Sequence, residues 1–348
     1  MAISYHLGID LHKKFSYWTL LNNNRDVIFQ GKVPTTEGDM AKALQNIPVE
    51  KRDIQAVIEP VTEWGWYAEA LEKQGLTVKL ADPGKSKLIA ASRLKNDKVD
   101  STILAELLRS DFLPTAYLAP RETRELREFV RGRIFLVRLR TKIKNRIHSI
   151  VAKQGLHSSR SDLFGKKGLA WLQGQTLSPV FQEQVVSLLS IIDLLNEEIK
   201  KKDMAIIERA KRDAEAKLLM SMPGIGAFTA TMIQAEVGTF ARFASADKLA
   251  SYAGLVSSSR SSGEKQRFGS ITRAGSAYLR SIMVEAACHL RPSWGYLFSF
   301  YTRIKEKKGN KIARVALARK MLTILWHMQN KKEPFRALPL GDSPGVKR

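Results

Sequence analysis

Four carboxylates in the first third of the chain stand where chemistry could use them. Asp10 ends the apolar run Leu7-Gly8-Ile9-Asp10, Glu59 ends a second run, Ala56-Val57-Ile58-Glu59, and Asp97 and Asp100 lie three residues apart. Carboxylates that end buried apolar strands are costly unless a cation or hydrogen bonds compensate them. A spacing of three puts Asp97 and Asp100 on one helical face, pointing at a common spot. Each residue alone has a plainer role available, Asp97 as a helix cap and Asp100 as a solvated charge. Their joint placement favours a metal site. Four hard oxygen donors could hold two magnesium ions, and such ions neutralise phosphate charge, orient an attacking oxygen and stabilise a leaving one.

For the four to converge, the surrounding elements must bring them to one place. Apolar, β-branched and aromatic residues predict strands over 3–11, 16–21 and 26–33, with a tight connection at 22–25. A polar helix over 37–44 follows, then a strand over 54–58, a Trp-rich helix over 64–74 stopped by Gly75, a strand over 77–81, and helices over 85–92 and 97–110. Strands joined by short turns pair antiparallel, whereas strands separated by helices suit parallel crossovers. This is the order of an RNase H-like fold. In that fold the first and fourth strands are neighbours, so Asp10 and Glu59 project from the same sheet edge.

Beyond residue 115 the chain reads as α-helical, giving an α/β plus α fold class. Leu126, Phe129, Val130, Ile134, Val137, Ile143, Ile147 and Ile150 recur at helical spacing over 120–153, with Arg and Lys in most other positions. A second long helix over 183–220 carries Val186, Leu189, Leu194, Ile199, Met204 and Ile207. The two read as an antiparallel pair or coiled coil, with a Gly- and Ser-containing linker over 155–168. A compact helical region starts near 218 with Met222-Pro223-Gly224-Ile225-Gly226 and ends near His327. That turn is similar to a helix-hairpin-helix, in which bare amides, here those of Gly224 and Gly226, donate to a DNA phosphate; a plain glycine turn between packed helices fits it almost as well. The Ser-rich stretch 257–263 reads as a polar loop. The predicted domains are 1–115, 116–215 and 216–330, with 331–348 a disordered tail rich in Pro, Gly and charge.

With 57 Lys and Arg against 34 Asp and Glu among 348 residues, the net charge is +23. That balance points first to a polyanionic partner, and no apolar run nears the roughly 18 residues that span a bilayer, so nucleic acid is favoured over a membrane. A basic helix can also be only a solvated face. Cys288 is the only cysteine, which excludes a disulfide framework and a thiolate zinc site. The first ten residues lack a basic segment followed by an apolar one, so a cytoplasmic protein is expected.

Two sets of motifs carry a resemblance. Gly254-Leu255, Ser262-Gly263, Ile271-Thr272-Arg273-x-Gly275 and Leu279-Arg280 resemble the C-terminal signature of the insertion-sequence 110 family of transposases, and Gly8-Ile9-Asp10, Glu59-Pro60 and Asp97-x-x-Asp100 resemble its DEDD tetrad. The resemblance implies a RuvC-like domain joined by a coiled coil to a helical transposase domain with a serine nucleophile. It also implies a phosphoserine link to DNA and guidance by a structured bridge RNA. Position carries the nucleophile over to Ser262. The sequence departs from the family with Val256-Ser257 where a proline is common, which keeps Ser261 open as an alternative. A serine hydroxyl needs activation, and Arg260, Arg267, Arg273 and Arg280 could bind phosphate and stabilise developing charge, although each could equally be a surface charge. The expected partners are donor and target DNA, a guide RNA and further copies of the chain, in a dimer or tetramer. Two competing functions fit part of the pattern: a structure-selective nuclease of the Holliday-junction resolvase type, which needs no serine, and a non-catalytic nucleic-acid-binding protein.

Overall fold

The computed structural model describes residues 3–89, 96–262 and 265–336, the side chains of 87, 88 and 259–268 excepted. The expected tail therefore lies, from residue 337 on, outside the described residues. The chain divides into two compact units, Met1–Arg121 and Glu122–Arg348.

The first unit is built on a six-stranded sheet. Its elements run β1 (Tyr5–Leu11), β2 (Phe15–Asn22), β3 (Val27–Pro34), α1 (Glu37–Gln45), β4 (Ile54–Ile58), α2 (Trp64–Lys73), β5 (Thr77–Ala81), α3 (Pro83–Ile89), α4 (Asp97–Arg109) and β6 (Thr115–Ala116). The strand order is β3-β2-β1-β4-β5-β6, with β1, β4 and β5 parallel and the remaining pairings antiparallel. This mixed sheet is consistent with the RNase H-like order expected from the sequence. Side chains alternate faces along a strand. Leu7, Ile9, Leu11, Trp18, Ile54, Ala56 and Ile58 pack on one face with Met40 and Leu44 of α1 and Tyr67 and Leu71 of α2. Val57 and Ala81 meet Leu104 and Leu108 of α4 on the other. In the larger core, the Tyr67 hydroxyl lies 2.7 Å from Ser16 Oγ and accepts from Trp18 Nε1 at 2.9 Å, and its burial pushes the phenol up to about 12.

The second unit begins within α5 (Arg121–Lys153) and continues through α6 (Lys166–Gln173), α7 (Pro179–Arg212), α8 (Ala214–Met220), α9 (Ala227–Val237), α10 (Ala246–Tyr252), β7 (Ser257–Ser262), β8 (Lys265–Ile271), α11 (Ala277–Cys288), α12 (Tyr296–Lys308) and α13 (Asn310–Lys331). Arg133 bonds Asp203 at 2.9 Å and Arg140 bonds Asn196 at 2.6 Å, so partner numbers fall along α7 as they rise along α5 and the two helices run antiparallel. The buried positions of α7 are Val185, Ile192, Leu195, Ile199, Ile206 and Ala210. Spacings of seven keep this seam in register with a partner helix. Val186, Leu194, Met204 and Ile207, apolar positions of the expected helix, are instead exposed.

The predicted helix over 183–220 is two helices. Asp213 leaves helical geometry, and its side chain accepts from the Ala216 amide at 2.9 Å, capping α8. The polar loop expected over 257–263 is a further correction. Residues 257–262 and 265–271 pair as an antiparallel hairpin with Ser257 opposite Ile271 and Ser262 opposite Lys265.

Candidate metal centre and hairpin

In register, Ile9 pairs with Ile58, so Asp10 and Glu59 each stand one residue past the end of a parallel pair, on neighbouring strands. Asp10 shares its face with Gly8, two residues before it, and that face carries α4. Gly8 decides how closely the helix approaches, because a Cβ there would lie 2.0 Å from Ser101 O and 2.5 Å from Ala105 N. With backbone against backbone, the first turn of α4 reaches the end of β1. Thr19 Oγ1 meets Ser101 Oγ at 2.7 Å, and Gln30 Nε2 donates to both Thr19 and Thr102. Farther along α4, Glu106 accepts from Arg25 at 2.8 Å and from Arg109 at 3.0 Å. The Asn96 side chain accepts from the Val99 amide and caps the helix start.

The result is a cluster in which Asp10, Asp97 and His12 each offer a ligand atom, all within 4.8 Å of one another. His12 Nε2 lies 3.1 Å from Asp10 Oδ2 and 3.5 Å from Asp97 Oδ1. Asp100 and Glu59 fall outside that group, yet the charge of Asp100 acts on Asp10. Burial pushes the Asp10 carboxyl above its ordinary value, His12 pulls it down, and the Asp97 and Asp100 charges add to the rise. A half-buried carboxylate beside two others is a site a cation would relieve. Hard carboxylate oxygens suit magnesium and manganese. His12 was not among the sequence candidates. Its signal was the spacing Asp10-x-His12, which the alternation of a strand places on one face.

Ser262 ends β7 in the second unit, and Gly263 after it lies outside the described residues. Arg260 and Arg267 pair directly across the hairpin. At its base, Gly254 (φ +65) and Gly275 (φ +79) both need the left-handed region, and a Cβ on them would lie 2.3 Å from Ala274 O and 2.0 Å from Tyr252 O. Arg280 Nη1 donates to the carbonyls of Ala253 and Arg273, each at 3.1 Å, which makes it a clamp on that base. Arg273 is exposed and itself left-handed at φ 55, an unusual setting for a residue with a Cβ. Glu236 of α9, 1% exposed, accepts from Arg131 of α5 at 2.7 Å and from Ser276 Oγ at 2.7 Å, which ties the long helix to the same base. Several cations of α5 thus have intramolecular partners. In the turn before α9, Gly224 (φ +81) lies against Trp294, whereas a Cβ on Gly226 would meet open space.

Comparison with known proteins places both halves. Residues 216–303 match the family model described as Transposase IS116/IS110/IS902 family, and residues 7–154 match the DEDD transposase model of IS110 elements. The chain is 25% identical over 286 residues to the Transposase for insertion sequence element IS1111A of Coxiella burnetii, covering 78% of this chain and 76% of that one. It is 25% identical to the Probable family 20 transposase of Pseudomonas aeruginosa, over 78% of this chain and 82% of the relative. A shorter match of 148 residues, 34% identical, joins 41% of the chain to 37% of an uncharacterized 42 kDa protein of insertion element IS900 in Mycobacterium paratuberculosis. Two models of one family, matched in order and spanning the metal cluster and the hairpin base, lead to one conclusion: the chain belongs to the IS110 family of transposases, enzymes that cut and rejoin DNA.

Proposed function

We propose that this chain is a DNA recombinase that cuts and rejoins donor and target strands with a RuvC-like metal site and a serine nucleophile, guided by a structured bridge RNA. The observation that carries the reading is the convergence of Asp10 and Asp97 at the end of β1. Asp10, Glu59, Asp97 and Asp100 would hold Mg2+, as two ions, with His12 beside them. Bound there, the cations would offset phosphate charge and orient the attacking oxygen. In the covalent step the Ser262 hydroxyl oxygen bonds to phosphorus and loses its proton to a base. The bond from phosphorus to the leaving strand breaks, and the leaving oxygen takes up a proton; the reverse attack by another strand end rejoins the DNA and frees the serine.

The arginines divide by setting. Arg260 and Arg267 occupy opposed backbone positions of the hairpin. Together with Arg273 they are assigned to DNA phosphate, as are the amides of Gly224 and Gly226 in a helix-hairpin-helix-like turn. Arg280 acts through the hairpin base it clamps. The division into 1–115, 116–215 and 216–330 assigns the middle segment to a coiled coil that joins copies of the chain. Exposed Val186, Leu194, Met204 and Ile207 on α7 support that role. Among the described residues no helix is long and apolar enough to cross a membrane.

The test is trapping of a covalent adduct between purified protein and labelled DNA carrying the element's ends, with magnesium and RNA from the flanking sequence. Adduct that survives denaturation, maps to Ser262 and disappears in Ser262→Ala supports the reading. Strand cleavage without adduct would instead mark a metal nuclease of the resolvase type, and an adduct mapped to Ser261 moves the nucleophile by one residue. Loss of all cleavage in Asp10→Ala, with the fold retained, is expected.

A further inference from the structure

Away from the metal cluster and the hairpin, the second unit carries a cavity of about 420 Å³ between α13, the start of α12 and residues 333–336. Its apolar lining includes Trp294, Tyr296, Ile324, Met328 and Phe335, and its polar lining sets Lys320, Lys331, Arg336 and His327 against a single carboxylate, Glu333. Trp294 is 9% exposed and fixed from behind by the Gly224 turn, where a Cβ would lie 2.3 Å from its ring. Lys320 Nζ sits 5.5 Å from the centre of the Tyr296 ring. The segment 333–336 is fastened by the Phe335 amide, which donates to Ser221 Oγ at 2.9 Å, so the wall it forms is part of the fold.

We infer that this cavity takes one unstacked nucleotide of a single nucleic-acid strand, its base against Trp294 and Tyr296 and its phosphate at Lys320 and Lys331. Three features select that occupant. Flat aromatic walls bind any base through its π-face, which suits strand binding that tolerates sequence. Beyond the Arg336–Glu333 pair the lining is cationic, in a chain of net charge +23, so an anionic guest complements it better than an apolar or cationic one. A duplex about 20 Å wide cannot enter a space of ligand size, whereas a single flipped or unpaired nucleotide can. Trp294 touches both the cavity and the Gly224 turn. The inference rests on the nucleic-acid partner assigned above, and needs neither the serine nor the metal.

The experiment uses the full chain, with Tyr296 replaced by the photoreactive p-benzoylphenylalanine, irradiated with labelled single-stranded DNA, single-stranded RNA or duplex DNA. In parallel, binding of the three probes is measured for Tyr296→Leu with Lys320→Gln, and for Lys211→Gln as a charge control, after confirming unchanged melting. Crosslinking to single strands is expected, with single-strand affinity falling about tenfold in the double variant and duplex affinity matching the control. Response to RNA alone assigns the site to a guide strand, and response to DNA alone to a displaced DNA strand. Equal losses on duplex and single strands overturn the inference, as does a crosslink only to a second copy or to the chain's own residues 337–348. Retained duplex binding with no single-strand effect would remove the cavity site and leave the recombinase reading standing.

Discussion

Asp10 sits under opposing influences: burial and the Asp97 and Asp100 charges push its carboxyl up, and His12 pulls it down. Without a cation, the ionised cluster is an electrostatic cost that the fold carries, and a divalent ion converts that cost into binding. Linkage at about 100 times the dissociation constant contributes about 2.7 kcal/mol. Adding Mg2+ or Mn2+ is therefore expected to raise the melting temperature by several degrees, and chelation to reverse the rise. Asp10→Asn should abolish the metal-dependent part while leaving the metal-free protein at least as stable; an undiminished metal response in that variant would remove Asp10 from the site. The hairpin base has the opposite sensitivity, since it depends on residues lacking a side chain. Gly275→Ala places a Cβ 2.0 Å from Tyr252 O in a left-handed backbone, so a loss of about 2 kcal/mol or more is expected in denaturant melts. Arg273→Gly should stay within about 1 kcal/mol of the parent because it relieves a left-handed backbone. It should still weaken DNA binding, and unchanged affinity would show that the exposed guanidinium makes no phosphate contact.

At the scale of elements, α4 is what delivers two of the four carboxylates, and its seat is in part electrostatic. Burial pushes Glu106 up, but the hydrogen bonds and charges of Arg25 and Arg109 outweigh it and hold the carboxyl below its ordinary value of 4.5. A carboxyl lowered in the folded state contributes stability that is present above the unfolded value and lost as pH falls through the folded one. Melting followed below about pH 4.5 should show a destabilisation that Glu106→Gln lacks, and at neutral pH that variant should cost about 1 kcal/mol. A matching acid profile in Glu106→Gln would assign the loss to other carboxylates. The strands were legible because short apolar and β-branched runs are set apart by polar connections and helices, and two of those runs end at Asp10 and Glu59. His12 carried only the Asp10-x-His12 spacing as a signal, because its relevance depends on α4 arriving over β1, and that approach is set by the missing Cβ of Gly8. The hairpin was hidden for a different reason. Six residues in which five are serine read as a loop, while the base from which the hairpin springs is closed by Gly254, Gly275 and Arg280, all outside the stretch itself. On α7 the apolar residues outnumber the places in the seam, so composition alone could not decide whether Ile192 or Leu194 faces α5.

At the scale of the whole molecule, the acidic cluster and Ser262 belong to different compact units, separated in sequence by two long antiparallel helices. A recombinase must hold two duplexes, which favours an even number of copies related by symmetry. The apolar residues left exposed on α7 offer a surface for such pairing. The prediction is that Ser262 of one copy works with the acidic site of another. Ser262→Ala and Asp10→Ala proteins should then each be inactive alone. In a mixed oligomer, the Asp10→Ala chain supplies the serine and the Ser262→Ala chain supplies the carboxylates, so some sites regain both groups. Mixing the two should restore measurable recombination, and every covalent adduct should lie on the Asp10→Ala chain, which is the one that keeps the serine. Tagging the two chains with different masses makes that readout direct. Mixed oligomers that form but neither recombine nor give adduct would mean that each chain completes its own site, with the α7 surface serving assembly alone.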